Sequence, residues 1–318
     1  MGRGPHLLRS GEGGGPAVRR SPDPRDRRCG TRLGHRRLQA RLGLPAAGVR
    51  SVTTAARGAW DVVRQGEKAR EIREQTLRLS QGRPHHLGGQ LSCVEILVSI
   101  FYGHAPTLPD TRFVLSKGHA CITLYAVLAD LGLIPPDELE TIMEAGGLLL
   151  GHPCRTTTPA VDASTGSLGM GLSMAVGMAL AARMAGREVH VHAVLGDGEM
   201  QSGQVWEALM LLGHHRLDTV HTVIDCNGAQ ADGTTADIVG LEPLPARLEA
   251  MGLDVVECDG HDLAALNKAL AEPRRGRPRA IVARTVKGKS VPTMEGDNFW
   301  HSGTLSRQQL ADALASLY

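Results

Sequence analysis

The residues best suited to chemistry lie in two short turns. Gly196-Asp197-Gly198 follows the apolar run V-H-V-H-A-V-L, and Asn227-Gly228-Ala229 follows T-V-H-T-V-I-D-C. A carboxylate on Asp197, an amide oxygen on Asn227 and the backbone carbonyl of Ala229 make a hard, all-oxygen donor set. Mg2+ favours such a set when phosphate oxygens complete its octahedron. Gly196 and Gly198 let the backbone approach a phosphate closely, and the helix behind them offers free N–H groups to an anion. Taken singly, D-G or N-G after a strand is a turn and nothing more. The pair gains meaning only if both turns sit at one edge of a sheet.

The intervening pattern predicts that placement. A strand over 189–195, a helix over 204–213 and a strand over 219–225 form one strand–helix–strand unit. A right-handed crossover brings successive strand ends to the same side. Further strands are expected at 111–118, 254–258 and 279–284, with helices at 244–251, 263–271 and 306–317. Alternating strands and helices imply an α/β fold, a parallel sheet with helices on both faces in three α/β/α layers. Residues 56–80 recur in apolar character every three to four positions, as an amphipathic helix with a charged outer face does. Ser92 with Glu95 three residues on has the form of a capping box, opening a helix to about residue 102. His119 opens a helix to about residue 131, and Pro135-Pro136-Asp137 opens another. The stretch from Ser164 to Arg183 is small or apolar nearly all round, which predicts burial.

Composition sets limits. The chain has 318 residues and a net charge of +2, which gives no argument for a nucleic-acid partner. Residues 1–50 carry twelve Arg against Glu12, Asp23 and Asp26, a local +9 against −7 for the remainder. Residues 1–55, rich in Gly, Pro and Arg, show no hydrophobic period and are expected to be a disordered extension, with a folded domain over 56–318. A nucleic-acid arm, an organelle-targeting segment or an early start codon are alternative readings of that extension. The six cysteines are scattered without a C-x-x-C, which suits a reducing, cytoplasmic setting. No run of eighteen apolar residues exists to span a membrane, and no apolar h-region marks a secretion signal.

G-D-G-E-x-Q-x-G-Q-V-W-E-A followed by D-x-N-G-x-Q-A-D-G resembles the thiamine-diphosphate motif of transketolases, and more closely the N-terminal half of transketolases split into two chains. The resemblance runs over roughly residues 60 to 318. It implies the thiamine-diphosphate-binding fold, with thiamine diphosphate and Mg2+ as cofactors and Asp197, Asn227 and the Ala229 carbonyl as metal ligands. H-x-G-G-x-L-S-C-x-E-I-L is similar to the family's first histidine motif and points to His86 rather than His85. F-V-L-S-K-G-H-A is similar to the run whose histidine, here His119, faces the diphosphate. Gly151-His152-Pro153 resembles the loop whose histidine meets the donor sugar's terminal hydroxyl. Gly166, Ser167 and Leu168 match the cofactor loop, whereas Gly171 and Gly177 read as packing residues. The C-terminal K-G-K-S…M-E…W-H-S-G resembles a loop whose histidine, here His301, lies over the thiazolium. By resemblance His86, His152 and His301 are catalytic, while His119, the 166–168 turn, Gly196, Asp197, Gly198 and Asn227 bind the cofactor.

Two positions depart from the family pattern: Ser202 stands where an acid is usual, and Ser290 where a glycine is common. The resemblance also implies a missing half, because the glutamate that activates the aminopyrimidine and the arginines for sugar phosphate lie on a second domain. The expectation is one subunit that pairs with a transketolase C-terminal subunit in an α2β2 heterotetramer acting on sugars or sugar phosphates. A non-catalytic scaffolding homologue and a 1-deoxyxylulose-5-phosphate synthase-like activity are the alternatives. An ordinary dinucleotide-binding domain is disfavoured, because no G-x-G-x-x-G follows a first strand.

Overall fold

The structure, a computed structural model, describes residues 60–272 and 276–318. The reading of residues 1–55 as an extension falls outside the described residues. In chain order the main elements are helices α1 (Val62–Leu79), α2 (Leu87–Leu91) and α3 (Val94–Val98), strand β1 (Thr111–Leu115), and helices α4 (Cys121–Asp130) and α5 (Met170–Met184). Then come β2 (His190–Gly196), α6 (Gly203–His214), β3 (Val220–Cys226), α7 (Thr235–Val239) and α8 (Leu244–Ala250). The chain closes with β4 (Asp254–Asp259), α9 (Leu263–Ala271), β5 (Arg279–Arg284) and α10 (Arg307–Ala315).

The five strands make one parallel sheet in the order β1-β2-β3-β5-β4. Strands β1, β2 and β3 are buried nearly throughout, as parallel strands covered on both faces are. One face carries Leu115, Val194, Val223 and Ile281 against α1, α3, α4 and α9. The other carries Leu195, Ile224 and Val282 against α5, α6 and α8. A third, smaller cluster joins α1 and α2 to Val291, Trp300, Leu305 and α10, and so fixes the C-terminal loop against the first helices. No helix among the described residues is long and apolar enough to cross a membrane.

Three local expectations are corrected. Ser92 does not N-cap a helix: its hydroxyl donates to Asp225 at 2.6 Å, with the Gly89 carbonyl 3.1 Å away, and its backbone closes α2 instead. Glu95 is taken by Arg73 of α1 and by His261, 3.0 Å away; the single helix predicted from Ser92 becomes α3 and a π-helical turn at Ser99–His104, and α2 lies just before it. Residues 136–141 form a 3-10 turn in place of a helix. Helix α5 is not buried all round: Leu172, Ala175, Val176 and Ala179 face the core, but Met184 is 88% exposed and a Cβ on Gly177 would meet nothing. Its apolar outer face is left without cover among the described residues.

Candidate active site

Parallel pairing puts the ends of β2 and β3 side by side, with Gly196 opposite Asp225. Asp197 therefore lies beside the Asn227-Gly228-Ala229 turn. Its carboxylate accepts from Gly198 N–H at 2.9 Å and from Gly228 N–H at 2.7 Å, which ties the two turns together. The Asn227 side-chain oxygen accepts from Ala229 N–H at 3.1 Å, and its amide lies 3.4 Å from the Ser92 hydroxyl. Burial, and then the nearby Asp225 carboxylate, push the Asp197 carboxyl up to about 6. A buried carboxylate held in this way is stabilised by any cation placed beside it.

Four loops bring imidazoles to the same end of the sheet. The His86 ring lies 5.1 Å from His119, 5.2 Å from His301 and 6.4 Å from His152, between ring centres. His119 and His301 are 6.0 Å apart. Residue His85, by contrast, pairs its backbone with Gly303. Burial lowers the pKa of His86 and of His119, and takes His301 down to about 4. The lysines Lys117 and Lys287 add to the effect. At neutral pH these three rings are uncharged, able both to donate and to accept one hydrogen bond each.

The glycines are explained by close approach. A Cβ on Gly166, whose φ is +148°, would meet the His152 ring at 3.1 Å. One on Gly118 would meet Thr165 and the Gly166 nitrogen, so the His119 turn packs directly on the 166–168 turn. Ser167 and Leu168 are exposed at its rim. A Cβ on Gly198 would press on Gln230 at 3.0 Å, whereas Gly196 has ordinary room. Gly166→Ala is expected to displace His152 and cost about 1–3 kcal/mol, read as a lower denaturation midpoint.

Several residues were not singled out by the sequence. Asp225 is wholly buried beneath the turns and is held by Lys117, by Thr285 and by the Ser92 hydroxyl at 2.6 Å. Lys117 also donates to the Gly89 carbonyl at 2.7 Å, so it is the internal partner of Asp225. A lone carboxylate at the end of an apolar strand was the available signal, since buried charges are paired. Lys287 lies 2.9 Å from the Asn298 side-chain oxygen, 3.3 Å from the Gln230 carbonyl and 3.2 Å from His301 Nδ1. Burial, and then Lys117, lower it to about 8. Its charge has no carboxylate partner in hydrogen-bond reach among the described residues.

Glu199 is buried and accepts from the Ser116 hydroxyl at 2.5 Å, from Gly169 N–H at 2.8 Å and from Gly196 N–H at 3.3 Å. It thereby locks the ends of β1 and β2 to the start of α5. Ser202 packs against Gly169, and Glu207 is exposed on α6. Ser290 holds φ +70°, which a glycine would adopt without strain.

Residues 78–317 match the family model described as "Transketolase, thiamine diphosphate binding domain". The chain is 35% identical over 238 residues to an apulose-4-phosphate transketolase subunit of Phocaeicola vulgatus, covering 72% of this chain and 84% of that protein. It is 39% identical over 241 residues to a 6-deoxy-6-sulfo-D-fructose transketolase subunit of a Clostridium species, covering 73% and 88% respectively. Among solved structures, transketolase from Leishmania mexicana superposes with a TM-score of 0.73 at 29% identity, over 80% of this chain and 41% of that one. The chain thus spans about two fifths of that transketolase and most of the two relatives named as subunits.

Proposed function

This chain belongs to the transketolase family, as its thiamine-diphosphate-binding domain, and from that premise we propose that it is the cofactor-diphosphate half of a two-chain, Mg2+-dependent transketolase. The observation that carries the reading is the convergence of His86, His119, His152 and His301, from four separate loops, on the strand ends that bear the Asp197 and Asn227 turns. The donor chemistry fits both cofactors. Asp197, Asn227 and the Ala229 carbonyl offer Mg2+ hard oxygens, and the raised Asp197 carboxyl gains from the ion's charge. Lys287 and His119 offer a diphosphate one cation and one ring N–H.

When bound, thiamine diphosphate supplies a thiazolium carbon that adds to a ketose carbonyl and holds the charge released as the adjacent C–C bond breaks. The protein's part is to position and to move protons. His86 and His301, uncharged at neutral pH, would donate ring N–H to the donor's oxygen or accept its proton. His152, against the Gly166 turn, would hold the donor's terminal hydroxyl. Gly166, Ser167 and Leu168 would approach the ring system through their backbone.

The two-chain reading is supported by the relatives' names, which call them subunits, and by uncovered apolar surface. Met184, Met210, Leu211 and Leu168 are 88%, 55%, 49% and 47% exposed on α5, on α6 and in the turn before α5. Apolar faces of this kind mark interaction sites. The partner would be a transketolase C-terminal subunit, in an α2β2 assembly, and the substrates a ketose donor and an aldose acceptor, as sugars or sugar phosphates. The test is a ketol-transfer assay with Mg2+, thiamine diphosphate and a ketose phosphate. No turnover is expected from this chain alone, and turnover once a C-terminal subunit is present. Transfer by this chain unaided overturns the two-chain reading. Calorimetry showing no Mg2+-dependent cofactor binding with the partner present overturns the catalytic one.

A further inference from the structure

Buried parallel strands are normally filled with Val, Ile and Leu. Here β2 begins His190-Val191-His192 and β3 begins Val220-His221. Parallel register places His192 opposite His221, on the same face of the sheet, with their rings stacked 4.8 Å apart. His104, at the end of the π-helical turn, brings its ring 4.8 Å from that of His221, and its Nδ1 lies 2.9 Å from His192 Nε2. One nitrogen from each of the three lies within 4.8 Å of the others. This cluster sits in the first half of β2, about 16 Å along the strand from Asp197 at ~3.3 Å per residue. It is separate from the four histidines of the candidate active site.

We propose that His104, His192 and His221 form a second metal site, for a zinc-class divalent ion. Zinc–imidazole bonds of about 2.0–2.1 Å in tetrahedral array put neighbouring nitrogens about 3.4 Å apart. The 2.9 Å His104–His192 separation and the 4.8 Å limit on the set bracket that value, and the stacked His192 and His221 rings must tilt towards each other to bring the ion into both ring planes. Nitrogen donors select Zn2+, Co2+ or Ni2+ over Mg2+, which sets this site apart from the oxygen donors of Asp197 and Asn227. A cavity of about 590 Å³ opens on His104 and is lined also by Glu188, Asp218 and Glu272. Its carboxylates give a cation an entry path, and water from it fills the fourth position. The ion would clamp the π-helical turn to the centre of the sheet.

Cobalt titration of the full-length, chelator-treated chain tests this. One equivalent of Co2+ is expected to give the intense visible absorption of tetrahedral nitrogen coordination. Zn2+ should displace it, and Mg2+ should not. His104→Ala, at the partly exposed member, should lower Co2+ affinity at least about 100-fold, as should His192→Gln. Asp197→Asn should leave the absorption unchanged. Circular dichroism confirms that each variant is folded, and zinc should raise the melting temperature of the wild type and of Asp197→Asn but not of the two histidine variants. Absence of a tetrahedral spectrum in the wild type, or an unaltered one in folded His104→Ala, overturns the proposal.

Discussion

Replacing Lys117 with methionine is expected to cost roughly 3–5 kcal/mol of unfolding free energy. The ammonium is wholly buried and pairs with Asp225, itself without exposed surface. Its pKa is raised despite burial, because Asp225 holds the charge in place. Removing the lysine leaves a carboxylate at the centre of the sheet with only the Ser92 and Thr285 hydroxyls to solvate it. The double variant Lys117→Met/Asp225→Leu removes both charges and should recover roughly half the loss or more, as apolar replacements of buried pairs do. Denaturant unfolding of the three proteins measures this. A double variant no more stable than the single one would show that the damage is steric and not electrostatic.

The second large effect concerns Asp197. With Asn there, the turn proposed to hold the metal loses its formal charge, and Mg2+-dependent cofactor binding should fall at least about 100-fold. In the wild type the same binding should depend on pH. On the proposed assignment the metal would take the charged carboxylate, and burial raises that carboxyl to about 6. Affinity is therefore full above about pH 6 and should fall about tenfold per unit below it. The sign for the metal-free protein is opposite. Its folded state binds the proton more tightly than the unfolded chain does, so this group lowers apo stability as pH rises from about 4 to 6. Bound Mg2+ and diphosphate would offset that loss. Calorimetry at pH 5 and pH 7.5 separates the two, and pH-independent cofactor binding would sink the assignment of Asp197.

The sequence alone determined the sheet, the two turns and the candidate histidines. Each of these is set by local pattern. Short, mostly apolar runs specify buried parallel strands, glycines specify turns, and H-x-G-G, S-K-G-H, G-H-P and W-H-S-G mark four loops. What pattern cannot fix is which side chain claims which partner across the fold. Glu95 has the spacing of a capping box, yet Arg73 and His261 take it, since a buried carboxylate gains more from a guanidinium and an imidazole N–H than from one backbone N–H. Lys117 sits in the S-K-G-H run beside His119, yet it answers Asp225 from a strand more than a hundred residues away. Apolar residues all round α5 read as burial, but one side of that helix is open. The three-histidine cluster depends on the register between β2 and β3 and on a turn from elsewhere in the chain. Such pairings are long-range and are settled by packing and desolvation, so only the tertiary structure decides them.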